Sequence, residues 1–82
     1  MNTNIINAIS SETRIRILAT IEKGEICACK LPAIVKKTQP AVSQHLTVLK
    51  ESKLVKSRRD GAKMLYSLTE KGKQVINDIE GW

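Results

Sequence analysis

The segment Thr38–Lys50 has the sequence TQPAVSQHLTVLK and decides the fold predicted for this chain. Its apolar residues recur at intervals of four and three, the spacing of the buried side of an α-helix. These positions are Val42, Leu46 and Leu49. The opposite side, at about 100° to 200° from Val42 when each residue turns about 100°, is polar but uncharged. It carries Ser43, Gln44 and Thr47, where a solvated helix would normally show Glu and Lys.

The start of this helix is marked by Thr38 and Pro40. Threonine is a good N-cap, and proline in the first turn has no N–H that needs a partner, so the Thr38 hydroxyl can serve Ala41 instead. A shorter helix comes before it, because Pro32 sets a start at about residues 29 to 31. The two helices together predict a helix-turn-helix over about residues 30–51.

Three segments before this motif are also predicted. Asn4–Ile9 is a short apolar-rich start that favours a helix, and Glu12–Glu22 predicts a second helix with Ser10 and Ser11 as its cap. The stripe of this second helix consists of Ile15, Leu18, Ala19 and Glu22, widened by Ile17 and Ile21. Glu25–Cys29 is a short link with one extended strand.

The segment after the motif predicts a β-hairpin and a last helix. One strand begins at Leu54 and Val55 and runs through Arg59, and Asp60-Gly61 is a hairpin turn signal before the return strand 63–68. Thr69 then caps a C-terminal helix over about residues 70–80. The expected fold is mainly α with a small β-hairpin over about residues 55–68. It is a single winged helix-turn-helix DNA-binding domain that spans residues 1–82.

Charge is concentrated in the same part of the chain. The net charge is +6, and residues 36–63 alone hold eight basic and two acidic side chains, which accounts for the whole excess. Such a field attracts DNA phosphates or an anionic surface. There is no apolar run of membrane-spanning length, so no membrane partner is expected and the protein is predicted to be cytoplasmic. A chain this short, without Phe, favours a homodimer that buries more apolar surface.

The uncharged polar side of Thr38–Lys50 suits the major groove of DNA, because short or amide-bearing side chains can approach base edges closely. Basic residues around it and on the hairpin would hold the phosphate backbone, which positions the protein without specifying a sequence. The predicted DNA-binding residues are Lys37, Thr38, Gln39, Pro40, Ser43, Gln44, His45, Thr47, Arg58, Arg59 and Lys63.

Four segments together resemble the ArsR/SmtB family of prokaryotic repressors. They are ISSETRIRILATI, GEICACKL, QPAVSQHLTVLKESKLV and RRDGAKMLYSL, which cover most of the chain from about Ile9 to Leu68. The resemblance implies a homodimer, paired through its first and last helices, that represses transcription from a palindromic operator in double-stranded DNA. It also implies an effector that weakens DNA binding. Family members commonly have Gly in the turn between the two motif helices, where this chain has Lys36 and Lys37.

Cys27 and Cys29 are the candidate effector site. Soft thiolates suit arsenite, Cu(I), Zn(II) or Cd(II), and two cysteines two positions apart can share an ion only in extended or helix-entry geometry. The family's arsenic site resembles Cys-x-Cys-x-x-Cys, and Pro32 stands at its third position here. No cofactor is otherwise expected. The alternatives are a structural cysteine pair with effector-independent DNA binding, or a thiol redox switch.

The sequence has no pattern typical of an enzyme. It has a single histidine, no paired acids near it and no glycine-rich phosphate loop. The remaining rival is a thiolate metal-buffering or protein-interaction module whose basic segment meets an acidic partner.

Overall fold

The computed structural model describes residues 11–80, so the helix predicted over residues 4–9 lies outside the described residues. Within that part the chain forms four helices, three strands and one 3₁₀ turn. In chain order they are α1 (Glu12–Glu22), β1 (Ile26–Cys27), the 3₁₀ turn (Ala28–Lys30), α2 (Leu31–Val35), α3 (Gln39–Glu51), β2 (Val55–Asp60), β3 (Lys63–Leu68) and α4 (Glu70–Glu80). The prediction of a mainly α fold with a winged helix-turn-helix is confirmed.

The helix α3 has the start and the buried side predicted for it. The Thr38 hydroxyl accepts a hydrogen bond from the backbone N–H of Ala41 at 3.3 Å. The three apolar residues of its stripe have no more than 2% of their surface exposed: Val42, Leu46 and Leu49. The cap and the stripe together fix which side of α3 remains in solvent.

The turn between α2 and α3 depends on an unusual lysine conformation. Lys36 lies in the left-handed region at φ 58° and ψ 47°, the place where glycine is the usual residue. The backbone N–H of Lys37 donates to the carbonyl of Pro32 at 3.1 Å, which closes the end of α2. A non-glycine residue in this conformation is strained by about 1 kcal/mol or more.

The sheet has the strand order β1-β3-β2, and both pairs are antiparallel. The hairpin β2–β3 is the predicted wing, and its first strand extends from Val55 to Asp60. The strand β1 is short, and it pairs with β3 through Ile26–Tyr66 and Cys27–Leu65. The link expected over Glu25–Cys29 is therefore partly a strand and partly a 3₁₀ turn. Its strand pairs with the free edge of β3.

The main core cluster is aliphatic and draws on every helix. Its buried members are Ile17, Leu18, Ile21, Leu31, Val35, Val42, Leu46, Leu49, Leu54, Val55, Leu68 and Ile76. The stripe predicted for α1 was centred wrongly: Ile17 and Ile21, expected only to widen it, are buried, whereas Glu22 is exposed. The reason is that α1 faces four neighbours, α2, α3, β3 and α4, rather than one flat surface. Among the helices within residues 11–80, none has the length and apolarity to cross a membrane.

The helix α4 starts in close contact with the segment between α3 and β2. The Thr69 hydroxyl accepts from the N–H of Gly72 at 3.0 Å, which confirms the predicted cap, and donates to the carbonyl of Lys53 at 2.7 Å. A Cβ at Gly72 would lie 2.1 Å from the carbonyl oxygen of Leu54. The absence of a side chain at Gly72 is what lets α4 approach the core this closely.

Gly72→Ala should therefore destabilise the protein, although alanine favours a helix. The backbone carbonyl of Leu54 must move to admit the methyl group, and overpacking of this kind costs about 1–3 kcal/mol. The free energy of unfolding, measured by urea titration, tests this. Gln74→Ala at an exposed position of the same helix is the control and should change stability by less than about 0.5 kcal/mol. Equal stability of the two variants would contradict the close approach.

Lys36→Gly should relieve about 1–2 kcal/mol of backbone strain, because glycine adopts the left-handed conformation without strain. Lys37→Gly is the matched control, since it removes the same charge from the same turn at a residue without positive φ. That variant should lose about 0.4–1 kcal/mol through the greater freedom of the unfolded chain. Lys36→Gly bears the same cost, so the strain is measured by the difference between the two variants, which should be about 1 kcal/mol or more in favour of Lys36→Gly. Thermal unfolding of both variants at high salt measures it, and equal stability would refute the strain.

Candidate nucleic-acid interface

The outer side of α3 forms a ridge that we define as Ser43, Gln44 and Thr47. All three side chains are exposed, as are Gln39 and Pro40 in the first turn of the helix. The ridge lies opposite the buried stripe, so the core presents it to solvent. Its groups are one amide and two hydroxyls without net charge, which leaves hydrogen bonding rather than ion pairing as its chemistry.

The hydroxyls along α3 differ in what they can still bind. Thr47 donates its hydroxyl proton to the carbonyl of Ser43 at 3.0 Å, so outward it offers only an acceptor and its methyl group. The oxygen of Thr38 accepts from Ala41, so its proton remains available as a donor near the positive end of the helix dipole. The amide of Gln44 keeps both a donor and an acceptor, the pattern that pairs with adenine.

Cations flank the ridge at both ends of α3. Lys36 and Lys37 are exposed in the turn before it. At the other end, the Lys50 ammonium donates to the hydroxyl of Ser57 at 2.8 Å, which ties the end of α3 to strand β2 of the wing. The ridge and the wing are therefore held in one arrangement by a direct side-chain contact.

The two arginines of the wing point to opposite faces of the sheet, because side chains alternate along a strand. Arg58 reaches across β3 and forms a two-point ion pair with Glu25, with N–O distances of 2.8 and 2.7 Å. Its hydrogen bond is the main cause that lowers the pKa of Glu25. Arg59 lies on the other face together with Ser57, which contacts α3, and no hydrogen bond or ion pair engages its guanidinium within residues 11–80. Lys63 is exposed beside the turn of the hairpin.

His45 directly follows Gln44 on α3, borders the buried side of the helix and is half-buried. Its Nδ1 accepts a hydrogen bond from the Nε–H of Arg14 on α1, at 3.0 Å. Burial, followed by the positive charges of Arg14 and Lys37, lowers the pKa of His45 below its ordinary value. The contact with Arg14 requires an unprotonated Nδ1, and the lowered pKa favours the same uncharged imidazole.

The two cysteines are adjacent, as the extended geometry at the start of the 3₁₀ turn allows. Cys27 is 6% exposed, Cys29 is exposed, and the structure joins them as a disulfide with a Cα–Cα distance of 5.2 Å. The Cys27 sulfur also accepts from the backbone N–H of Cys29 at 3.3 Å. The described residues contain no cluster of three or more His, Cys, Asp or Glu side chains suited to a metal ion. Two sulfurs do not complete the ligand set of a closed zinc site.

Two residues around the interface are not indicated by the sequence pattern: Arg14 and Glu25. Lys50, by contrast, is one of the basic residues that the pattern places at the edge of the motif. The partners of Arg14 and Glu25 are 31 and 33 positions away. Contacts over such separations depend on the packing of α1 and the sheet, which the local pattern does not contain.

Comparisons with known proteins agree with this geometry. A family model described as "Bacterial regulatory protein, arsR family" matches residues 11–57. An uncharacterized HTH-type transcriptional regulator of Methanocaldococcus jannaschii is 35% identical over 78 residues, which cover 93% of this chain and 88% of that protein. The arsenical resistance operon repressor of Staphylococcus aureus is 35% identical over 75 residues, which cover 92% of this chain and 69% of the repressor.

Solved structures show the same fold. The transcriptional repressor BigR from Xylella fastidiosa aligns with a TM-score of 0.81 and 33% identity, over 94% of this chain and 80% of that one. A homodimeric winged helix-turn-helix DNA-binding domain from Mycobacterium bovis aligns with a TM-score of 0.88 over 95% of this chain and 73% of that one. Its identity is 22%, so that likeness concerns the fold alone.

The family match includes α1, α2, α3 and the first residues of the wing, and thus the whole ridge with the core that presents it. Members of this family are regulators of transcription rather than enzymes. The family match therefore favours a DNA-binding regulator over both an enzyme and a protein-interaction module. The chain belongs to the arsR family of bacterial regulatory proteins and is a DNA-binding regulator of transcription.

Proposed function

We propose that this protein is a repressor that reads its operator with the ridge of α3 in the major groove. The observation that carries the proposal is the exposed, uncharged ridge with cations at both ends of its helix. Carboxylates on this side would be repelled by the phosphates on both sides of the groove. An amide and two hydroxyls can instead exchange hydrogen bonds with base edges.

Gln44 is proposed as the principal base-reading residue, because its amide can bind adenine through two hydrogen bonds. Ser43 adds a hydroxyl beside it, and Thr47 adds an acceptor and a methyl group that suits the methyl of thymine. The residues at the start of α3 contact the backbone in this proposal. They are Lys37, Thr38, Gln39 and Pro40.

On the wing, Arg59 and Lys63 are proposed to contact phosphates, since both are exposed and Arg59 lies on the face that adjoins α3. Arg58 is also proposed to contact a phosphate, although this contact has a competitor within the protein. Its guanidinium is paired with Glu25, so a phosphate would have to compete with that carboxylate. The contribution of Arg58 to binding is therefore expected to be smaller than that of Arg59.

The repressor is proposed to act as a homodimer on a palindromic operator. The structural neighbour from Mycobacterium bovis is named as homodimeric, and a small aliphatic core gains stability when a partner covers more of it. Two copies of α3 would then enter successive major grooves, with half-sites about 34 Å apart.

Cys27 and Cys29 are proposed as the site at which an effector weakens DNA binding. Relatives include a repressor named for arsenical resistance, and both sulfurs lie at one end of β1. A soft metal or metalloid ion would need at least one further ligand from outside this pair, such as a small thiol. Oxidation is the second candidate: two thiols form one disulfide and give two protons and two electrons to an oxidant such as hydrogen peroxide, which becomes water.

Gln44→Ala should flatten the base preference of the protein, with a loss of about 1–3 kcal/mol on the preferred site. The preferred site is first selected from randomised duplexes, and affinities for it and its single-base-pair variants are then measured by fluorescence anisotropy. Arg59→Ala is the comparison: it should weaken all duplexes alike and reduce the slope of log K against log salt by about 0.9. Unchanged base preference in Gln44→Ala would refute its role.

The effector proposal is tested on the complex of DNA with the reduced protein, in which both cysteines are thiols, with arsenite, Zn(II), Cu(I) and hydrogen peroxide added separately. At least one of them should weaken binding by about 5- to 150-fold, the usual range of coupling between two sites. The double variant Cys27→Ser/Cys29→Ser should bind DNA as before and should not respond. If no additive weakens the wild-type protein more than this variant, the cysteines are structural and DNA binding is independent of them.

A further inference from the structure

The contact between Arg14 and His45 joins α1 to the helix that carries the ridge. The Nε–H of Arg14 donates to Nδ1 of His45 at 3.0 Å, between residues 31 positions apart. A neutral imidazole has one N–H donor and one acceptor nitrogen. Because Nδ1 is the acceptor in this contact, the proton of the neutral ring is on Nε2.

The charges around the ring hold it in this neutral form. Partial burial disfavours the imidazolium, and the charged groups that lower its pKa, Arg14 from α1 and Lys37 from the turn, are both cations. Protonation of Nδ1 would replace the acceptor with a second donor and would break the bond from Arg14. The contact therefore requires the neutral ring with its proton on Nε2.

The free nitrogen of this ring lies off the ridge, at the edge of the buried side of α3 and about 100° around the helix from Gln44. His45 directly follows Gln44 on α3, is half-buried and is close enough to Lys37 for the charge of that lysine to affect it. Nε2 is farther from the helix backbone than Nδ1, so the outer end of the side chain is an N–H donor. At the flank of a helix in the major groove, the acceptors are phosphate oxygens rather than base edges.

We propose that Arg14 is a positioning residue for DNA binding, which holds His45 in the Nε2–H tautomer so that this N–H donates to a backbone phosphate beside the bases read by Gln44. The inference rests on the proposed function, since it requires α3 to lie in the major groove. It adds a role for α1, which does not itself belong to the helix-turn-helix. A neutral donor of fixed direction orients α3 on the backbone, whereas the surrounding lysines supply attraction without direction.

The tautomer is measured directly by ¹⁵N NMR of the ring, because His45 is the single histidine of the sequence. The wild-type ring should be Nε2–H, with a pKa below 6.5. In Arg14→Met the pKa should rise and the ring nitrogens should shift toward a mixture of tautomers. Arg16→Met removes the same charge from an exposed position of α1 and should leave the pKa and the tautomer of His45 unchanged.

DNA affinity is measured by anisotropy on a selected duplex and on a random-sequence duplex of the same length. Arg14→Met should bind both about fivefold more weakly than Arg16→Met, the effect of one lost hydrogen bond. Two variants of His45 separate the two nitrogens. His45→Asn keeps an acceptor near Nδ1 but no outer donor and should lose about fivefold, whereas His45→Gln places an amide N–H near Nε2 and should bind almost as wild-type.

Several results would overturn the inference. They are an Nδ1–H ring in the wild-type protein, equal affinities of Arg14→Met and Arg16→Met, or equal affinities of the Asn and Gln variants of His45. A loss confined to the selected duplex would assign His45 to a base and would overturn the phosphate contact. If the wild-type protein binds no duplex, the proposed function fails as well. If the wild-type protein binds DNA and the variants bind it equally well, only the role of Arg14 and His45 is overturned.

Discussion

The interaction on which the structure depends is the burial of one side of α3 in the aliphatic core. Val42, Leu46 and Leu49 are almost fully removed from solvent, so α3 cannot rotate about its axis without exposing them. A rotation by one residue, about 100°, would place polar groups in the core. The ridge of Ser43, Gln44 and Thr47 is therefore presented to solvent by residues that never touch DNA.

Much of this arrangement could be predicted from the sequence, because the signals are local. The cap at Thr38, the stripe of α3 and the turn at Gly61 each depend on residues within a few positions of one another. The left-handed lysine was also foreseeable, since the turn requires that conformation whatever residue occupies it. Ion pairs and hydrogen bonds across more than 30 positions could not be predicted, because they depend on how α1 and the sheet pack.

The wing shows how one adjacent pair of residues can serve two tasks. Arg58 and Arg59 look alike in the sequence, and both were predicted to contact DNA. Strand alternation separates them: one guanidinium joins the wing to Glu25 at the start of β1, and the other lies on the face near α3. Cys27 lies on the same face of the sheet as Arg58, because both residues pair with Leu65 of β3. The cysteine segment thus adjoins the wing and is one strand away from β2.

The central claim is that DNA meets the ridge of α3, and chemical-shift mapping tests it most directly. A ¹⁵N-labelled sample is titrated with a duplex, and the backbone and side-chain amide signals are followed residue by residue. The account predicts the largest changes at Ser43, Gln44 and Thr47, with a second group at Arg59 and Lys63. Changes confined to the outer face of the sheet around Lys56 and Arg58, with the signals of the ridge unmoved, would contradict it.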